Sequence, residues 1–256
     1  MEENRAVYQH LLTKAARRGG GFLLLIDPDR APAEQYLALA EASESCGVDA
    51  IMVGTSFMLD ASFPEAVRQI KSRTRVPVII FPGSFAQINP HADAILFSSL
   101  LSGRNPTYLI DEQVRGAPLV KRYGLESIPT GYLLVESGPL TSVQYISNTN
   151  PIPRNKPDIA CAHALAAQYL GMKLVYLEAG SGAEMSVPED MVGVCAEYLD
   201  IPLVVGGGLR RPEECRSRIE AGASFVVVGT GMEDDPQFTY LRELTAAVHI
   251  RDSVIA

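Results

Sequence analysis

The sequence predicts a (β/α)8 barrel. Three observations carry this: eight short apolar runs recur along the chain, most are separated by helix-patterned segments, and the whole fits into 256 residues. Runs that are continuously apolar, rather than alternating, mark strands buried on both faces, as in a parallel sheet. Eight strand–helix units in a chain of about 250 residues is the count of a single-domain barrel. The rival is a doubly wound open sheet. Its glycine fingerprint G-x-G-x-x-G should follow the first strand, where this chain has Ile26-Asp27-Pro28-Asp29-Arg30 instead.

In chain order, residues 3–18 form an expected helix that covers the barrel bottom within residues 1–21, with Arg5, Lys14, Arg17 and Arg18 as a basic face. The expected strands are 22–27, 49–54, 76–81, 92–97, 130–136, 173–178, 201–207 and 223–229. Residues 32–47 place Tyr36, Leu37, Ala40 and Cys46 at helical spacing and stop on Gly47. Residues 62–72 begin with Ser, Pro and Glu, the order of a capped start. Residues 156–171 and 211–222 repeat the scheme and close on glycine. Between the fourth and fifth strands, a helix is expected from Pro106 to Arg115 and a short second one near Leu119. Residues 137–157 are polar and rich in Pro, Asn and Ser, the composition of a functional loop. The chain reads as one domain, 1–256.

Composition narrows the function. Lys and Arg number 22 against 30 Asp and Glu, for a net charge of −8. That excludes a nucleic-acid binder held by a broad basic surface. A chain 47% hydrophobic and 20% charged has ample core material, which excludes wholesale disorder. Cys46, Cys161, Cys195 and Cys215 form no C-x-x-C pair and no Cys/His cluster. They are expected to be free thiols in a reducing cytoplasm. The start of the chain shows no signal-peptide pattern. No apolar run approaches the roughly 20 residues of a membrane span.

In a barrel of this type the chemistry lies at the C-terminal strand ends. Here those ends are rich in glycine, which lets backbone amides approach an anion closely. Gly206-Gly207-Gly208 follows the seventh strand and Gly229-Thr230-Gly231 the eighth, the two loops where such barrels often hold a phosphate. The loop after strand six, Glu178 to Gly182, adds amides and hydroxyls around a carboxylate suited to the hydroxyls of a polyol phosphate. Across the mouth stands Asp27, a charge that ends an apolar run and therefore needs a partner. One carboxylate with the Ser56 hydroxyl, completed by phosphate and water, suits Mg²⁺. Two anion sites across one mouth fit an enzyme that joins a phosphate-bearing acceptor to a diphosphate-bearing donor. At this level two other readings stay open: an isomerase or lyase acting on a sugar or heterocycle phosphate, and a prenyl-phosphate binder without turnover.

The residues resemble the geranylgeranylglyceryl phosphate synthase family, which includes bacterial heptaprenylglyceryl phosphate synthases. The resemblance rests on residues 23–30 (LLLIDPDR), 49–56 (DAIMVGTS), 76–84 (VPVIIFPGS), 92–110, 128–136, 152–183, 202–214 and 221–234, in order from residue 22 onward. It implies a TIM-like barrel in which one helix is replaced by a strand or irregular segment. The long stretches 99–129 and 137–157 are the expected places for that irregularity. It implies transfer of a prenyl group from a prenyl diphosphate to the 3-hydroxyl of sn-glycerol 1-phosphate, with geranylgeranyl diphosphate the expected donor. Leu25 stands where some bacterial members carry Lys, which places the chain nearer the subgroup with an apolar residue there. Carried over by motif, Asp27 and Ser56 are the Mg²⁺ ligands. Tyr176, Leu177, Glu178, Ala179, Gly180, Ser181 and Gly182 hold glycerol phosphate. Gly207, Gly208, Gly229 and Thr230 bind its phosphate. Asp27, Tyr176 and Glu178 are the expected catalytic set, and Tyr132 joins Tyr176 against an allylic cation. Phe57, Met58, Phe85, Phe97 and Leu100 are candidate groove residues. A homo-oligomer is expected from the resemblance alone. Arg104, Arg154, Lys156, Arg210 and Arg211 are candidate diphosphate or phosphate contacts.

Overall fold

Eight parallel strands close on themselves: β1 (Gly21–Ile26), β2 (Ala50–Val53), β3 (Val78–Ile80), β4 (Ala94–Leu100), β5 (Glu126–Leu134), β6 (Leu174–Glu178), β7 (Leu203–Gly206) and β8 (Phe225–Val228). The ring is completed where Phe22 of β1 stands beside Val226 of β8. The structure is a computed structural model that describes residues 6–58, 62–229 and 237–251. All eight expected strands are present. β5 starts four residues earlier than expected, because Glu126 and Ser127 already pair with Ala94 and Ile95 of β4.

The strands' period of two sorts side chains between two cores. Leu23, Met52, Ile79, Leu96, Ile128, Tyr176, Val204 and Val227 fill the barrel. Phe22, Leu24, Val53, Val175, Leu177 and Val205 point outward, into the layer shared with the helices. Both faces are apolar because both are covered. Each fully buried Leu, Val or Phe contributes about 1.5–3 kcal/mol from burial.

The outer ring holds α2 (Ala33–Ala42), α3 (Phe63–Arg73), α4 (Glu112–Tyr123), α6 (Pro157–Tyr169), α7 (Glu189–Tyr198), α8 (Pro212–Glu220) and α9 (Thr239–Val248). A short α5 (Ser142–Ser147) lies inside the long loop after β5. The two helices expected between β4 and β5 are one: a π-helical turn, Thr107–Asp111, runs directly into α4, which continues through Pro118 and stops on left-handed Gly124.

The irregularity lies elsewhere than in residues 99–129 or 137–157. β3 and β4 are joined by a single 3-10 turn, Phe85–Gln87, where the barrel pattern calls for a helix. Beyond two backbone bonds of its own, Gln87 to Ser84 (3.1 Å) and Ile88 to Phe85 (3.2 Å), this connection meets its backbone needs through side chains. Gln87, buried, donates to the Thr55 carbonyl (2.8 Å) and accepts from the Gly83 amide (3.0 Å). Asn89 donates to the Pro64 carbonyl (3.1 Å). The result is a gap in the helix ring between α3 and α4.

α1 (Ala6–Arg18) covers the barrel bottom as expected. Its buried Leu11 joins the interior cluster. Its first turn is capped from afar: the Val7 and Tyr8 amides donate to the Glu126 carboxylate at 2.7 and 3.2 Å. Part of the basic face is used structurally. Arg18 Nη1 donates to the fully buried Asp49 at 2.7 Å, and Asp49 also accepts from the Phe22 amide and meets His249 Nε2 at 2.9 Å. Burial pushes the Asp49 pKa up, but His249, the Phe22 amide and Arg18 outweigh it and hold the carboxyl below its ordinary range. Arg5 lies outside the described residues.

Candidate active site

A cavity of about 210 Å³ opens at the C-terminal end of the barrel. It has two walls of opposite character.

The polar wall comes from β6, β7 and β8. Along β6, Leu174, Tyr176 and Glu178 alternate inward. Glu178 is therefore aimed into the cavity by the same pleat that buries Tyr176. Glu178 as a residue is 5% exposed, and its Oε1 accepts from the Gly180 amide at 2.6 Å. Burial raises its pKa, opposed by Tyr176 and by the Gly180 amide. Gly207 is required beside it. Its φ is +80°, and a Cβ there would press on Glu178 Oε1 and on the Ala179 and Gly180 amides. Gly206 plays a similar part for Tyr176, whose hydroxyl a Cβ would strike. That hydroxyl is buried beside the Glu178 carboxylate. Burial and the nearby Glu178 charge push its pKa up. Gly180, Ser181, Gly182, Gly208 and Gly229 complete this wall.

Facing it, Asp27 stands one residue past β1. Its side chain is 16% exposed, paired with Arg30 Nε at 3.2 Å, and its Oδ1 accepts from the Asp29 amide at 3.1 Å. Burial raises its pKa against the Asp29 amide, Arg30 and Thr55. Thr55 and Ser56 also border the cavity. Among the described residues no three His, Cys, Asp or Glu side chains converge as a metal cluster. A single desolvated carboxylate flanked by hydroxyls still suits Mg²⁺, which binds through one or two carboxylates and fills its shell with phosphate oxygens and water.

The second wall is apolar. Phe81, Tyr132 and Tyr176 form a ring triad with centroids 5.4–5.8 Å apart. Beyond it the cavity runs outward through the gap left by the missing helix, past Phe97, Tyr108, Phe85 and Ile88 to Gly116 of α4. A Cβ on Gly116 would meet Ile88 Cδ1 at 2.7 Å, so this glycine leaves the passage open.

The sequence-derived set is thus largely brought together: Asp27, Ser56, Tyr176, Glu178, Gly180, Ser181, Gly182, Gly207, Gly208 and Gly229 all line one cavity. Leu177 and Ala179 do not; the strand's alternation turns both into the outer core. Thr230 lies outside the described residues. Phe85, Phe97 and Leu100 line the groove, while Phe57 and Met58 are exposed away from it. The candidate arginines serve loops. Arg104 donates to the Gly103 carbonyl (2.7 Å), Arg154 to the Ser186 carbonyl (2.8 Å), Arg210 to the Ala183 carbonyl (2.7 Å), and Arg211 pairs with Glu214 (2.9 Å). Lys156 sits at the start of α6, outside the cavity lining.

Sequence reasoning missed Arg30, Phe81, Tyr108, Glu112, Gln113 and Gly116. One signal was available: only ten residues separate the expected third and fourth strands, too few for a barrel helix and its two loops.

A closed barrel whose last three strand ends set glycine loops around a buried carboxylate is a phosphate-handling (β/α)8 barrel. Residues 13–248 match the PcrB family, and the chain belongs to that family. A geranylgeranylglyceryl phosphate synthase of Thermococcus gammatolerans is 50% identical over 211 residues, 82% of this chain and 83% of the relative. One from Chitinophaga pinensis is 40% identical over 97% of this chain and 98% of the relative. Among solved structures, (S)-3-O-geranylgeranylglyceryl phosphate synthase from Thermoplasma acidophilum, in complex with its substrate sn-glycerol-1-phosphate, superposes with a TM-score of 0.88. It is 38% identical and covers 93% of this chain and 96% of its own.

Proposed function

We propose that this chain transfers the prenyl group of a prenyl diphosphate to the 3-hydroxyl of sn-glycerol 1-phosphate, releasing diphosphate. The carrying observation is the position of Glu178, a buried carboxylate where a glycine-lined polar wall meets an apolar groove. The relatives' names and the glycerol-phosphate complex of the Thermoplasma acidophilum protein support the reading.

The glycine loops supply amides for the phosphate of the acceptor. Glu178 accepts hydrogen bonds from its hydroxyls and takes the proton of the 3-hydroxyl as the new C–O bond forms. Its raised pKa makes it a stronger base than a surface carboxylate. The bond from C1 of the prenyl group to the diphosphate oxygen breaks, and the electron pair leaves with diphosphate. The faces of Phe81, Tyr132 and Tyr176 shield the allylic carbon from water and stabilise its developing positive charge. Asp27, with Ser56 and Thr55 beside it, would hold Mg²⁺. When bound, the ion supplies charge neutralisation for the leaving diphosphate. Arg30 stands next to the same position. The gap between α3 and α4 takes the prenyl tail, with geranylgeranyl diphosphate the favoured donor.

We also infer a cytoplasmic homo-oligomer. Four buried free cysteines fit a reducing compartment. Exposed Ile110 and Val114, on the outer face of α4 and its π-helical first turn, offer an apolar surface to a second copy. No helix among the described residues is long and apolar enough to cross a membrane.

The test is transfer of radiolabelled sn-glycerol 1-phosphate into an organic phase with Mg²⁺ and C10 to C35 prenyl diphosphates. The expected result is product with the C20 donor, lost with EDTA and absent with sn-glycerol 3-phosphate. Folded protein that yields no organic-soluble product with any donor contradicts the proposal.

A further inference from the structure

We propose that Glu112 is a positioning residue for the prenyl chain. Its carboxylate fastens the turn that replaces the third barrel helix to α4, and so fixes the width of the groove. The inference rests on reading the groove as the prenyl site.

The Phe85 amide donates to Glu112 Oε2 at 2.6 Å, across 27 residues of sequence. Phe85 opens the 3-10 turn, so its amide is a donor that the turn itself leaves unsatisfied. Arg115, one turn further along α4, lies 3.7 Å from Glu112 Oε1 and places its guanidinium 5.8 Å from the centre of the Phe85 ring. One side chain thus holds the turn's backbone while a second covers its ring. The far end of the turn is tied to the β2 loop through Gln87 and the Thr55 carbonyl. Of these, Phe85, Glu112 and the neighbouring Gly116 line the groove.

A three-residue 3-10 turn holds itself with two backbone bonds of poor geometry, Gln87 to Ser84 and Ile88 to Phe85, and needs outside contacts to fix its position. A charge-assisted bond to a rigid helix is stronger than a neutral one and directional. Among the described residues it is the hydrogen bond that joins the turn's backbone to α4. Without it the turn remains tethered to β2 but not to the helix across the gap. Groove width, and with it the fit of the prenyl chain, is then set loosely. The glycine loops are built from β6, β7 and β8 and gain nothing from this contact.

Glu112→Ala and Glu112→Gln separate this role from general support. Gln keeps an oxygen that accepts from Phe85 and gives up the charge, both in that bond and toward Arg115. Amide hydrogen exchange at Phe85 is expected to be slow in the parent protein and at least about tenfold faster in the Ala variant. KM for geranylgeranyl diphosphate should rise roughly tenfold, with KM for sn-glycerol 1-phosphate held within about twofold. The range of donor lengths accepted should broaden. Glu112→Gln should restore most of both. Unchanged exchange and unchanged donor KM overturn the proposal. So does an equal rise of both KM values that Gln fails to rescue, since that marks a loss of overall structure. If the parent protein transfers no donor, the prenyl role fails with the functional reading, while Phe85 exchange still decides whether Glu112 holds the turn.

Discussion

The two walls of the mouth are built by opposite means. The β6–β8 side is regular: three strands end in register, and glycines bring backbone amides and one buried carboxylate to a point. The β3–β4 side is irregular: a missing helix opens a channel whose rims are held by single side chains, Gln87, Glu112 and Gln113. The regular side can hold charge because its donors are fixed backbone. The irregular side can hold a long apolar chain because it lacks the element that would fill the space. On the proposed function, chemistry in this barrel comes from completing the pattern and substrate length from breaking it.

The comparison breaks first at Glu178. Glu178→Gln should lower kcat by about 10²–10⁴, the range for loss of a positioned proton acceptor, with donor affinity kept. Stopped-flow turnover beside equilibrium binding checks both. The same substitution reports on stability. Burial raises the Glu178 pKa, so the protein binds more protons folded than unfolded. Stability from this group is full below the unfolded pKa and lost as pH rises through the folded one. The Gln variant should therefore melt higher than the parent at neutral pH, and the gap should close toward acid pH; a lower melting temperature at neutral pH counts against a strained carboxylate.

Gly207→Ala should come next. A left-handed φ and a Cβ pressed against Glu178 predict a loss of kcat/KM of about tenfold or more. Donor affinity should be nearly unchanged, which titration with a non-reactive diphosphate analogue would show. Gly116→Leu tests the opposite wall. Activity with C20 donors should collapse while C10 transfer survives, read from product lengths, because the side chain fills the passage beside Ile88. A leucine in place of a helical glycine favours the helix by about 0.5–1 kcal/mol, so lost C20 activity would not reflect a weaker α4.

The barrel bottom supplies the control. Asp49→Asn removes the charge that Arg18 and His249 surround, far from the mouth. It should destabilise the fold by about 3–5 kcal/mol while leaving KM values unchanged below the melting transition. Thermal melts should also show its pH sign. The Asp49 pKa is lowered in the fold, so its contribution is present above the unfolded pKa and lost as pH falls through the folded one.

The regular wall was legible in the sequence and the irregular one was not. Continuous apolar runs such as Leu203–Val205 and Phe225–Val228 announce buried strands, and the glycines directly after them line the cavity. Strand alternation, applied from Tyr176, would also have sent Leu177 outward. On the other wall, Glu112, Gln113 and Gly116 look like ordinary helix positions. Their roles depend on a helix that is absent between residues 81 and 93, whereas length and loop composition pointed to residues 99–129 and 137–157 instead. Arg104, Arg154 and Arg210 read two ways in the sequence, as phosphate contacts or as loop charges. A cation in a long loop near the mouth resembles a phosphate contact, but here each satisfies carbonyls that irregular backbone leaves open.

On the proposed function, one mouth holds two substrates on two separate walls that meet at Glu178. Calorimetric titration with sn-glycerol 1-phosphate and a thiolodiphosphate donor analogue, singly and then together in the presence of Mg²⁺, tests it most directly. A ternary complex is expected, with one equivalent of each ligand and neither displacing the other. Mutually exclusive binding would place both ligands on the same wall and contradict it.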